Sequence, residues 1–179
     1  MPATHWSDAV DGYCERTDAT FWAEPLNAVS NLSFVVAAVL AWRLARAAGD
    51  RAGQALAVGA AAIGAGSFLF HTVATRWALQ ADVWPIRVFV LLFIVLATPR
   101  LFAVPRWAGP VAAGGFVVVS VAVTRLLGYA VGPTNGSAGY AAVPLAMLLA
   151  TGLLARHSPA LARGLGAGSL VFCLSLLFR

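Results

Sequence analysis

The stretch Trp107–Gly128, WAGPVAAGGFVVVSVAVTRLLG, decides the fold. Arg125 is its only charged residue, and a predominantly apolar run of about 20 residues is what a helix needs to cross the hydrocarbon core of a bilayer. Working outward, runs of similar character cover Leu26–Ala45, Ala55–Ala74, Val83–Thr98, Ala138–Ala155 and Ala160–Phe178. The third of the six is short and contains Arg87, and the fifth contains Pro144. These runs consume nearly the whole chain. The sequence therefore predicts an all-α integral membrane protein with six spanning helices. It forms one membrane domain over 1–179: an acidic N-terminal segment, 1–25, then a helix bundle, 26–179. Composition agrees. The chain is 60% hydrophobic and 11% charged, where soluble domains carry roughly 25% charged residues. Its mean hydropathy is +0.82.

All 12 basic residues are arginine and the net charge is +5. They form no patch interleaved with exposed aromatics, so nucleic acid is not the expected partner. They punctuate the helices instead. Arg43, Arg46 and Arg51 lie between the first and second runs, Arg100 and Arg106 between the third and fourth, Arg156 and Arg163 between the fifth and sixth. The alternate connections hold only Arg76 and, over Gly128–Ala138, no basic residue. Basic residues stay on the cytoplasmic side, so the N-terminus is expected outside. The first 25 residues are polar and acidic, unlike a signal peptide, so the first span itself addresses the membrane. The expected location is a bacterial inner membrane. Cys14 and Cys173 are too few for a disulfide scaffold or a cysteine metal cage.

The acids are unevenly placed. Asp8, Asp11, Glu15, Asp18 and Glu24 precede residue 25, leaving only Asp50 and Asp82 beyond it. A soluble tail that favours export of the N-terminus accounts for most of them. Glu24 is different, standing at the opening turn of the first span with Asn27 and Asn31 at i+3 and i+7 on its helical face. Carboxylates and amide carbonyls converging there are hard oxygen ligands of the kind calcium takes. Polar contacts between packed helices are the competing reading. In the second span, Ser67 and His71 stack at i and i+4, beside Gly64 and Gly66, which permit close helix approach. On His71 alone, a hydrogen-bonded core residue is the stronger reading. Asp82 reads as a helix N-cap, as a partner of Arg87, or as part of a site. With the N-terminus outside, Glu15, Glu24, Ser67, His71 and Asp82 all come to the outer side. That convergence favours one composite site able to activate water with a metal and a carboxylate.

The segments Tyr13-Cys14-Glu15-Arg16, Phe21 to Leu32 (FWAEPLNAVSNL), Gly66-Ser67-x-x-x-His71, and Asp82 eleven residues later resemble the alkaline ceramidase family. That family belongs to a wider group of seven-span membrane hydrolases, and the match covers about residues 11–85. The resemblance implies a seven-helix bundle and an intramembrane zinc amidase. Its substrate would be ceramide or a related lipid amide, cleaved to a sphingoid base and a fatty acid. It further implies that His71 is a zinc ligand, that Ser67 and Asp82 lie beside the water the zinc activates, and that Glu15 and Glu24 hold a structural calcium. Asp11, Asp18 and Asn27 complete the candidate calcium set. This chain departs from the pattern with Gly12 where the family has an Asp, and Thr17 where it has an Asn. The family's last span, with His-x-x-x-His, is not among these residues. Either the seventh helix lies beyond Arg179, or the chain is a non-catalytic relative, receptor-like or a transporter.

Overall fold

The computed structural model describes residues 5–132 and 136–177. Its helices are α1 (Pro25–Ser30), α2 (Leu32–Ala47), α3 (Arg51–Val73), α4 (Arg76–Phe102), α5 (Ala108–Val131), α6 (Ala142–Leu154) and α7 (Pro159–Leu177). A 3-10 turn, Ser137–Tyr140, precedes α6. Among the described residues, six segments are long and apolar enough to cross a membrane: Pro25–Ala47, Arg51–Val73, Arg76–Phe102, Ala108–Val131, Ser137–Leu154 and Pro159–Leu176. Each overlaps one of the six expected runs, although Phe178, the expected end of the last, lies outside the described residues.

Packing has the polarity of a membrane protein. Leu26, Val118, Leu149 and Val171 are each more than 60% exposed, while Ala28, Ala57, Ala78 and Ala142 are buried. Water would oppose so large an apolar exterior. Hydrocarbon does not, and small residues let helix backbones approach.

The chain packs as two compact units, Met1–Phe93 and Ile94–Arg179, divided within α4. In the second unit, the buried Ser169 hydroxyl of α7 donates to the Pro144 carbonyl of α6 at 3.0 Å. Pro144 is tolerated because it lies in the first turn of α6, where its missing N–H would have no helical partner. Gly109 permits a close approach of backbones, since a Cβ there would lie 2.3 Å from the Val95 carbonyl oxygen.

The first unit carries most of the buried polar residues, Glu24, Ser67, His71 and Asp82 among them. Asp50 caps α3 by accepting from the Ala52 N–H at 3.1 Å. The helix ends at Ala74, which takes the left-handed conformation with φ 47°. There the N-terminal segment crosses the α3–α4 turn. The Val10 N–H donates to the Ala74 carbonyl at 2.8 Å, and the Arg76 and Trp77 N–H groups donate to the Asp8 and Trp6 carbonyls at 3.1 Å each. Ala9 and Thr75 form an antiparallel bridge. These tail carbonyls satisfy N–H groups that a helix start otherwise leaves without partners. The third span consequently begins at Arg76, seven residues before the expected Val83. Asp82 is therefore inside α4 rather than its N-cap.

The first span is interrupted at Asn31. The Asn27 carbonyl accepts from the Asn31 side-chain amide and the Ser30 hydroxyl, both at 2.8 Å, while the Asn31 N–H turns to the Val29 carbonyl. Side-chain donors have displaced the regular i to i−4 bond. The amide of Asn31 thus finds its partner on its own segment rather than on a neighbouring helix.

Candidate functional site

Glu15, Glu24, Asn27 and His71 are brought together at one end of the first unit. Glu24 is the N-cap residue of α1, yet its side chain makes no capping bond. Glu15 caps the helix instead: Oε1 accepts from the Leu26 N–H at 2.7 Å and Oε2 from the Asn27 N–H at 3.1 Å. Pro25, at the preceding position, has no N–H to satisfy. A carboxylate against these amides is also favoured by the positive end of the helix dipole.

Relieved of capping, the Glu24 side chain turns inward and is 1% exposed. Its Oε1 accepts from Arg16 Nε at 2.6 Å, and its Oε2 lies 2.5 Å from His71 Nδ1. Asn27 Nδ2 reaches the same Oε2 at 3.4 Å. A carboxylate paired with a guanidinium offers only acceptors, so the imidazole nitrogen is assigned as the donor. A neutral ring held this way carries its lone pair on Nε2. This carboxylate–imidazole contact is the arrangement that fixes the tautomer of metal-ligating histidines.

Arg16 is the residue the sequence analysis gave no role. Its side chain is 8% exposed. Besides Glu24, it donates from Nη2 to the His71 carbonyl at 3.1 Å and from Nη1 to the Asp18 carbonyl at 3.3 Å. The signal was present in the sequence, since Arg16 is the one arginine among the five acids of the first 25 residues.

Ser67 is buried one turn before His71 on α3. Gly66 lets α4 come against this face. A Cβ on Gly66 would meet the Ala81 carbonyl oxygen at 2.0 Å and the Asp82 Cα at 3.3 Å. Asp82, itself 6% exposed, therefore enters α4 beside the Ser67 turn. Tyr13 covers His71 with ring centroids 4.9 Å apart.

Asp11 and Asp18 are exposed. Asp18 Oδ1 accepts from the Thr20 N–H at 2.8 Å and its hydroxyl at 2.6 Å. These bonds, the side-chain one foremost, hold its carboxyl below the ordinary aspartate value. Arg87, weighed as a partner for Asp82, places its guanidinium over the Trp84 ring, 5.6 Å from the centroid.

The two implied metals fit this geometry differently. Among the described residues no group of three or more His, Cys, Asp or Glu could hold an ion. His71 offers one imidazole nitrogen, with Ser67 and Asp82 close by on packed helices. It suits one position of a zinc site whose other ligands come from elsewhere. Calcium fits poorly. Both oxygens of Glu15 and both of Glu24 face N–H donors, which repel a cation, and Arg16 already brings positive charge to Glu24. No family model, curated protein or solved structure matches the chain.

Proposed function

We propose that this protein is a zinc-dependent intramembrane amide hydrolase acting on ceramide or a similar N-acylated lipid. One observation carries the reading: the buried His71 Nδ1 against Glu24 Oε2 at 2.5 Å. It supports a ligand role for Nε2, on a helix whose preceding turn carries Ser67 and whose neighbour carries Asp82. Two further zinc ligands come from the His-x-x-x-His of a seventh span, as the resemblance implies. Bound there, zinc would polarise an amide carbonyl and lower the pKa of a water. Asp82 takes the proton, and the Ser67 hydroxyl hydrogen-bonds the reacting oxygen. The apolar exterior admits a lipid substrate from the bilayer. The arginine-rich connections put the N-terminus outside, with the site toward the outer face of a bacterial inner membrane.

The test is zinc content and ceramide hydrolysis by the protein carried through a seventh span bearing His-x-x-x-His. The unaltered protein should bind zinc and release fatty acid, and His71→Ala should do neither. Full zinc occupancy in His71→Ala sinks the ligand assignment. Zinc without hydrolysis of any N-acyl lipid in the unaltered protein sinks the activity.

A further inference from the structure

The guanidinium of Arg16 lies where the N-terminal segment meets α1 and α3. It touches the Glu24 carboxylate, the Asp18 carbonyl and the His71 carbonyl within 3.3 Å. We infer that Arg16 is the resident cation of this site. It supplies the positive charge that the resemblance assigns to calcium, and through Glu24 it positions the His71 imidazole.

Chemistry supports the substitution. A structural calcium would draw carboxylate and carbonyl oxygens around one point. Arg16 draws one carboxylate and two carbonyls around a planar fork of fixed N–H donors. Its partners come from three segments: Asp18 from the tail, Glu24 from the start of α1, and His71 from the last turn of α3. A single side chain therefore pins the tail to both helices. Glu15 is drawn away from a metal role, because both of its oxygens accept from the Leu26 and Asn27 amides.

The same contacts make Arg16 a positioning residue. Glu24 Oε2 meets His71, and Glu24 Oε1 is held only by Arg16 among the bonds described. Without the guanidinium, the carboxylate loses the charge partner that offsets its burial, a costly state for an ion. It would swing toward water and release Nδ1. The His71 ring would then sample both tautomers.

The experiment uses the 179-residue protein in detergent and measures neither zinc nor hydrolysis, so it can fail independently of the proposed activity. Melting temperature is followed with calcium or a calcium chelator. The His71 tautomer is read from 15N spectra of histidine-labelled protein, with its signal assigned by loss in His71→Gln. Calcium and chelator should leave the melting temperature of the unaltered protein unchanged. Arg16→Gln should lower it and convert the His71 spectrum from a single Nδ1-protonated form to a mixture. Arg16→Lys, with charge but no fork, should recover only part of both. A calcium-dependent rise in the unaltered protein overturns the inference. So does an Arg16→Gln protein whose His71 spectrum is unchanged, or an Arg16→Lys protein that matches the unaltered one. If Arg16→Gln fails to fold, the lysine variant and the calcium response decide.

Discussion

His71 and Glu24 are 47 residues apart in the chain, and His71 Nδ1 stands 2.5 Å from Glu24 Oε2 in the fold. The contact joins two residues that the family resemblance assigns to different metals. It also explains why a carboxylate at a helix start leaves capping to another residue. Glu15 takes the helix amides, and Glu24 is free to turn toward α3.

Glu24→Ala should be the most damaging substitution in the N-terminal segment. It strands the Arg16 guanidinium at 8% exposure, and removing one partner of a buried ion pair typically costs about 3–5 kcal/mol. Glu24→Gln keeps an acceptor for Arg16 and should cost less. Denaturant titration of the two variants in detergent ranks them. Equal losses would mean that the charge of Glu24 contributes nothing beyond its shape.

Gly66→Ala should separate α3 from α4 and displace Asp82 from the Ser67 turn. The added methyl would stand 2.0 Å from the Ala81 carbonyl oxygen, a backbone atom that cannot rotate away. Overpacking of this kind costs about 1–3 kcal/mol. Gly115→Ala, where nothing lies within 4 Å, is the control and should be neutral or slightly stabilising, as expected for helix propensity. A Gly66→Ala protein as stable as that control would show that the helices part without cost.

The six spans were legible because hydrocarbon imposes a length and a composition on each, as in the Trp107–Gly128 run. The start of α4 was not. Its first turns contain Arg76, Gln80 and Asp82, which a hydropathy reading discards. What lets them stay helical is the tail, whose Trp6 and Asp8 carbonyls receive the first N–H groups. Helical spacing placed Ser67 beside His71 and Glu24 on the face of Asn27. It could not show that Arg16 enters the site, because the contact from Arg16 to the His71 carbonyl spans 55 residues. The break at Asn31 was likewise hidden, since a competition for the Asn27 carbonyl leaves no mark on apolar periodicity.

Asp18 should titrate below the ordinary aspartate value of about 3.9, because Thr20 donates to it from both hydroxyl and N–H. A depressed carboxyl contributes stability that is present above the unfolded value and lost as pH falls through the folded one. The loop at 18–20 should therefore loosen only in acid, below that ordinary value. Thr20→Ala should raise the midpoint, read from carboxyl carbon shifts. An unmoved midpoint would remove the hydroxyl as the cause.

Cys14 is an exposed free thiol in the N-terminal segment, which makes it a native reporter of sidedness. A membrane-impermeant maleimide applied to intact cells should label it, and Cys14→Ser should abolish the labelling. Labelling only after the membrane is opened would put the N-terminus inside. The arginine-bearing connections would then lie outside, and the outward-facing site would be lost with them.

The sharpest division of roles is between His71 and Asp82, in the protein carried through a seventh span. His71 lies under Tyr13 with its Nδ1 committed to Glu24, which leaves Nε2 for the ligand role proposed for it. Asp82 reaches the same region on α4, past the Gly66 contact. A proton acceptor need not touch the metal. His71→Ala should therefore lose zinc and amidase activity together. Asp82→Asn, similar in size but without a base, should keep zinc and lose about 10²–10⁴-fold in turnover, the usual range for general-base help. Metal analysis and hydrolysis of an N-acyl lipid, measured on the same preparations, separate the two effects. Loss of zinc in Asp82→Asn would make the carboxylate a ligand instead of a base. Unchanged turnover would leave Asp82 as a packing residue of the α3–α4 contact.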